Sequence, residues 1–282
     1  MQKIVEKNLQ KMFGLQFVAS EFAPHNKLRI DTLAYDPEQK SFVVIEFKRG
    51  SSWSVVDQGF AYLSLLLNNK ADFILKHQKC GGENCDIDDI NWEASRVMFV
   101  ASSFNVYQTE ALGFRDMPFE LWEVRRYEKN ILAANQLQSS AKAKLVEANL
   151  STEVQQVRRE VKQYSVEDHF KEGWNTMREL YDALSPQLLN LDSRLQVRPV
   201  KSYIGLHIDG RNIYSYHIYK SKIELHFSRT RPKDLKDPEE RVHYVKGSMK
   251  WYNQNVSSFV LQNESDIPYA VMLAKQVLKM YE

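Results

Sequence analysis

The sequence predicts an α/β protein built as two domains. Three observations carry this reading. Runs of helical and strand period alternate as α-β-β-β-α-β-α-β over residues 1–130. A stretch poor in aromatics then interrupts the pattern, and aromatic-rich strand runs between two amphipathic helices follow it. The length of 282 residues also fits two domains of about 150 residues each.

The elements follow in order. Ile4, Leu9, Met12 and Phe13 recur at helical spacing and predict a first helix over residues 2–13. Residues 15–22 read as a short strand, with His25 and Asn26 in a turn. The β-rich runs 28–35 and 41–48 flank DPEQK and predict a hairpin. The second run is apolar almost to Glu46, as in a strand buried on both faces. Residues 54–76 predict one long helix, 96–102 a buried strand, 105–114 a short helix and 118–127 an alternating strand. Residues 131–165, rich in Ala, Gln, Ser, Glu and Lys, read as a helical or partly disordered linker. A smaller α+β domain over 166–282 completes the chain. Its elements are a helix ending near Pro186, strands in 201–209, 212–221 and 222–230, and a last helix over 265–281.

Composition excludes several classes. Hydrophobic residues make up 43% and charged residues 26%, the balance of a globular chain. No run approaches the roughly 18 apolar residues of a membrane span. The start, MQKIVEKNLQKMFG, lacks a signal peptide's apolar core, which places the protein in the cytoplasm. Net charge is only +2. Residues 194–250 carry 13 basic and 6 acidic side chains, which marks either a phosphate-binding face or a solvated surface. Cys80 and Cys85, in KCGGENCD, lack the further ligands of a zinc site and read as loop thiols.

The hairpin carries the chemistry. Glu46 and Lys48 are two apart on one strand, so they project from the same face, with Phe47 on the other. The hairpin turn brings Asp31 alongside Glu46. Two adjacent carboxylates resist double ionisation. A divalent cation removes that repulsion, and magnesium accepts one or two carboxylates plus water and phosphate oxygens. A lysine beside it would orient a water or offset phosphate charge. That is chemistry for phosphodiester hydrolysis. The same trio would equally serve as a structural ion-pair cluster, with Lys48 bridged to Glu46 or Asp31.

Asp31 followed by Glu46-Phe47-Lys48 resembles the D…ExK signature of the PD-(D/E)XK nuclease superfamily. Glu6 in IVEKNL stands where that family carries a glutamate on its first helix. Gln58 and Tyr62 in DQGFAYL match its Gln-xxx-Tyr helix. The likeness covers residues 1–130, with Ile30 in place of the proline that names the superfamily. This half also resembles the catalytic domain of the NucS/EndoMS mismatch endonucleases. Residues 166–282 resemble a companion domain sometimes labelled a predicted transport protein, a label this chain's lack of an apolar span does not support.

The resemblance implies a restriction-endonuclease-like αβββαβ core and a metal-dependent nuclease acting on DNA rather than RNA, in repair or defence. Its alternative is a silent nucleic-acid-binding or protein-interaction module. It implies Mg2+ or Mn2+, held by Asp31, Glu46, the Phe47 carbonyl and, directly or through water, Glu6. Lys48 would orient the attacking water. Gln58 would hold the lysine or a phosphate, supported by Tyr62, and Arg49 would contact phosphate. A homodimer would let paired sites cut both strands.

Weaker signals remain. Glu21 is a second candidate acid. His207, His217 and His226 would form a metal or phosphate site or simply pack. Tyr203, Tyr214, Tyr216 and Tyr219, among Lys220, Lys222, Arg229 and Arg231, would form a nucleic-acid surface, a sheet core or a dimer interface. Trp174 and Trp251 are assigned to the second core. Arg125-Arg126 and Arg158-Arg159 are either phosphate contacts or solvated faces.

Overall fold

The computed structural model describes residues 1–24, 28–48, 55–111, 117–128, 131–137, 152–162 and 164–281. The chain divides into two compact units, Met1–Gln163 and Tyr164–Glu282. Each is mixed α/β with its own sheet.

In the first unit, helix α1 (Gln2–Phe13) buries Val5, Leu9 and Phe13, one on each turn. It ends at Gly14, whose φ of 70° is left-handed. There the Gly14 N–H donates to Gln10 O and the Leu15 N–H to Leu9 O, closing the helix. Strands β1 (Gln16–Phe22), β2 (Ile30–Asp36) and β3 (Ser41–Phe47) form an antiparallel meander. The β2–β3 turn is pinned by Asp36 Oδ1, which accepts from the N–H groups of Glu38 and Gln39.

Helices α2 (Val55–Asn68) and α3 (Lys70–Lys79) follow. Then come β4 (Arg96–Ala101), α4 (Val106–Ala111), β5 (Phe119–Arg126), β6 (Leu132–Leu137) and α5 (Thr152–Glu160). The described strands form one sheet in the order β1-β2-β3-β4-β5-β6. The β3–β4 and β4–β5 pairs are parallel, and β5–β6 is antiparallel.

Strand β3 is buried on both faces. Val43 and Ile45 pack with Val5, Leu9 and Phe13 of α1. Phe42 and Val44 pack with Leu63 and Leu66 of α2 and Phe73 of α3.

Two expectations are corrected here. The single helix over 54–76 is two helices, broken at Asn69. That residue leaves helical geometry (φ −130°, ψ 34°), and its Nδ2 donates to Leu65 O at 2.6 Å. The linker over 131–165 contains β6 and α5. Residues 132–137 pair with β5, because that strand's open edge needs hydrogen-bond partners. Ala, Asn and Gln are poor strand formers, which hid the element. α5 lies against α2, with Val157 buried and Lys70 Nζ 2.9 Å from Glu160 Oε2.

The second unit contains α6 (Asn175–Leu189), β7 (Gln196–Val200), β8 (Tyr203–Ile208), β9 (Arg211–Ile218) and β10 (Ile223–Ser228). β11 (Val242–Tyr244), α7 (Ser248–Tyr252), β12 (Val256–Leu261) and α8 (Ile267–Lys279) complete it. Its antiparallel sheet runs β11-β12-β10-β9-β8-β7. α6 and α8 cover one face, packing Leu180, Leu184, Leu273 and Val277 on Ile204, Leu206, Leu225 and Phe227. α6 continues past Pro186, which falls in its last turn. Of the readings open to the four tyrosines, the sheet core fits three of them. Tyr203, Tyr214 and Tyr216 are buried and only Tyr219 is exposed, because strand alternation turns Tyr214 and Tyr216 onto the helices. Among the described residues, no helix is long and apolar enough to cross a membrane.

At the start of β4, buried Arg96 reaches two carboxylates. Its Nη2 lies 2.9 Å from Asp36 Oδ2 and its Nε 2.8 Å from Glu120 Oε1. It thus ties the ends of β2, β4 and β5 together. Arg96→Ala would strip the buried Asp36 and the largely covered Glu120 of their shared cation and lower the unfolding free energy by roughly 3–5 kcal/mol. Urea denaturation checks this, and a loss below about 1 kcal/mol, the range of exposed pairs, would reject it.

Candidate active site

The β2–β3 ladder ends at the Thr32–Ile45 pair. Beyond it the Asp31 side chain replaces the strand partner, and Oδ2 accepts the Phe47 N–H at 2.9 Å. The Lys48 N–H turns the other way, to Val100 O of β4. The strands therefore part at the residues that carry charge.

Glu46 is the last buried residue of β3, 8% exposed. Helix α2 supplies its partners. Tyr62 Oη donates to Glu46 Oε2 at 2.7 Å, and Gln58 Nε2 donates to Oε1 at 2.8 Å. Gln58 and Tyr62 are one helical turn apart, so both reach the same carboxylate. The Gln58 amide also donates to Tyr62 Oη at 2.9 Å, and its carbonyl accepts from Lys48 Nζ. Lys48 Nζ stands 3.8 Å from Glu46 Oε1 and 5.7 Å from the centre of the Phe99 ring. Asp31, Glu46, Lys48, Gln58 and Tyr62 thus meet at one place.

The electrostatics match this crowding. Burial raises the pKa of Glu46. The Tyr62 hydrogen bond lowers it, the charge of Asp31 raises it, and Lys48 and Gln58 lower it, leaving a net upward shift. Burial and then the bond to Glu46 raise the Tyr62 hydroxyl as well.

The oxygens suit a hard divalent cation. Asp31 and Glu46 carry like charge, and each carboxylate oxygen keeps a second lone pair beyond the bond described. Magnesium is commonly held by one or two carboxylates, with water and substrate completing its shell. Among the described residues, no group of three or more His, Cys, Asp or Glu side chains stands ready to hold a metal. The fit is therefore to a two-carboxylate site.

Glu6 is not brought into it. Its Oε1 accepts from Thr32 Oγ1 at 2.6 Å and from Gln2 Nε2 at 3.2 Å. Thr32 alternates with Asp31 along β2 and so points to the opposite face. Glu6 therefore faces Thr32 and Gln2 rather than Asp31 and Glu46. Glu21 also lies apart, paired with Arg29 at 2.9 Å. Arg49 falls outside the described residues.

Sequence reasoning missed two supports. Gln2 Nε2 also reaches Asp31 O at 2.9 Å, and Phe99 lies beneath Lys48. The four-residue spacing of Gln2 and Glu6 was a usable signal for the first.

The weaker candidates sort plainly. His217 and His226 stack with centroids 3.9 Å apart, and burial, then His226, pushes the His217 pKa down to about 3. They join no metal group among the described residues. Cys80 and Cys85 are free thiols, and Cys85 Sγ is 4.0 Å from His77 Nδ1. Arg125 is exposed and engaged by Glu123 and Ser102 O. Trp174 is half-buried, but Trp251 is 52% exposed, against the expectation that it fills the second core.

A protein of Haemophilus influenzae, described as an uncharacterized protein, is 35% identical to the chain over 280 residues. The alignment covers 99% of this chain and 91% of that one. The two belong to one family. No family model matches the chain, and no solved structure does.

The raised Glu46 carboxyl has a measurable consequence. Above the ordinary glutamate value the folded state binds its proton more tightly than the unfolded chain, so stability falls as pH rises through the raised pKa. Glu46→Gln removes that fall. Its melting temperature should exceed the parent's at neutral pH, and the difference should shrink on acidification below the ordinary value. Thermal melts across a pH series test this. A variant less stable than the parent at every pH would contradict it.

Proposed function

We propose that the chain is a divalent-metal-dependent nuclease of the PD-(D/E)XK type, hydrolysing DNA phosphodiester bonds. One observation carries the reading: Asp31, Glu46 and Lys48 converge where β2 and β3 part, with Gln58 of α2 bonded to Glu46 and Lys48 and Tyr62 bonded to Glu46. The first unit's order, a helix, three antiparallel strands, two helices and then a strand parallel to β3, is consistent with it.

Each residue has a task. Asp31 and Glu46 would hold Mg2+ or Mn2+, with the Phe47 carbonyl beside them. When bound, the ion supplies Lewis-acid stabilisation of phosphate charge and a more acidic water. Tyr62 and Gln58 fix the Glu46 carboxylate, which lowers the reorganisation the reaction needs. Lys48 places a positive charge at the same point, to orient the nucleophilic water or offset charge on the phosphate. Gln58 holds the Lys48 ammonium in place until substrate arrives.

A second reading has its own support. Lys48 is occupied by Gln58 and Glu46, and Glu6 is drawn to Thr32. A silent nucleic-acid-binding or protein-interaction module, monomeric or dimeric, would keep such a cluster as a structural ion pair.

Two experiments separate them. Purified protein is incubated with branched, mismatched, single-stranded and duplex DNA, with Mg2+, Mn2+ or EDTA. The nuclease reading expects metal-dependent cleavage that falls by about 100-fold or more in Glu46→Ala or Lys48→Ala, and by about tenfold in Gln58→Ala, which supports the Glu46 ligand. Cleavage that survives both of the first two changes would sink this assignment. Titration calorimetry with Mn2+ should show binding lost in Asp31→Asn. Nucleic acid bound with neither cleavage nor metal binding would favour the silent module.

A further inference from the structure

The second unit carries an exposed aromatic and basic face that the candidate active site does not use. It lies on β11, α7 and the turn between them. Tyr244, Met249 and Trp251 are 40%, 50% and 52% exposed. His243, Lys246 and Lys250 are exposed among them. Large apolar side chains exposed together with cations are not an ordinary solvated surface.

The local structure presents these groups outward. Ser248 is the buried member of α7, so Met249, Lys250 and Trp251 are left to the outside. Gly247 stands in the left-handed region at φ 82°, which favours glycine. A Cβ there would lie 3.4 Å from the Trp251 ring. Tyr244 Oη is fixed between Ser248 Oγ at 3.2 Å and Asn255 Oδ1 at 3.3 Å. Tyr244 is thus held by hydrogen bonds while staying exposed, and the Trp251 ring lies close to Gly247.

The charge has one sign. Residues 241–263 contain no Asp or Glu. Of the neighbouring acids, Asp237 accepts from Tyr269 Oη and Arg241 binds Glu239 and Asp266, while Glu240 and Glu264 are exposed just outside this run. Lys246 and Lys250 have no ion-pair partner among the described residues. Stacking surfaces flanked by unpaired cations fit a strand of bases and phosphates. A duplex, whose bases are already stacked, offers no ring for Trp251 to cover.

We infer that this face binds single-stranded nucleic acid, with Trp251 and Tyr244 stacking on bases and Lys246 and Lys250 contacting phosphates. The inference is independent of cleavage in the first unit.

The test uses the full chain in EDTA and a fluorescein-labelled 20-mer of oligothymidylate, followed by anisotropy. Binding should weaken steeply with salt. Trp251→Ala should weaken it about tenfold or more, and Trp251→Phe should restore most of that loss. Lys246→Glu with Lys250→Glu should weaken it and lower the salt slope by about one to two. These side chains are exposed, so unchanged melting temperatures confirm folding. Unlabelled duplex should compete poorly. Oligonucleotide affinity unchanged in both the tryptophan and lysine variants would overturn the inference. So would binding to anionic phospholipid vesicles, or a Trp251-dependent dimer in light scattering, with no oligonucleotide bound.

Discussion

Strand β3 must be covered on both faces, and the first unit is arranged around that requirement. Its alternate residues feed two cores, one under α1 and one under α2 and α3. Parallel pairing with β4 needs a long crossover, and α2 and α3 lie within that crossover. The burial is complete until Glu46, where a carboxylate replaces an aliphatic side chain. Hydrophobic packing therefore delivers an acid to a half-covered edge. The Arg96 network at the other end of the strand shows the contrasting solution, in which buried acids are paired at once with a guanidinium.

At Glu46 the pairing is incomplete by design of the surroundings. Lysine is close but not in tight contact, and neutral groups from α2 supply the direct bonds. Such bonds hold the carboxylate without cancelling its charge. Asp31 adds a second negative charge and pushes Glu46 upward. A buried site that keeps excess negative charge has a standing attraction for a cation. Glu21, by contrast, is paired directly with the Arg29 guanidinium, and Glu6 is held by Thr32 Oγ1 and Gln2 Nε2.

The second unit divides its aromatics by the same burial rule. Tyr214 and Tyr216 point into the helices and are part of the core, and Tyr214 Oη donates to Ala274 O at 2.8 Å. Tyr244 and Trp251 lie at the β11 edge, beyond the reach of α6 and α8. Aromatic content in a sequence window therefore did not separate core from surface. Position relative to the covering helices did.

The sequence by itself determined the α/β class, most elements of the first unit, and the grouping of Asp31, Glu46 and Lys48, to which a family resemblance added Gln58 and Tyr62. These rest on short-range periodicity: two-residue spacing on a strand, four-residue spacing on a helix, and a hairpin of fixed register. Tertiary structure decided the rest. β6 forms because β5 offers an edge, despite a sequence that disfavours strands. The helix break at Asn69 depends on a local bond that competes with helical geometry. Glu6 is on the same helix face as Gln2, yet only the packing of α1 on β2 shows that Thr32 claims its carboxylate. Periodicity tells which residues share a face. Which face meets which neighbour is fixed by burial between elements distant in the chain.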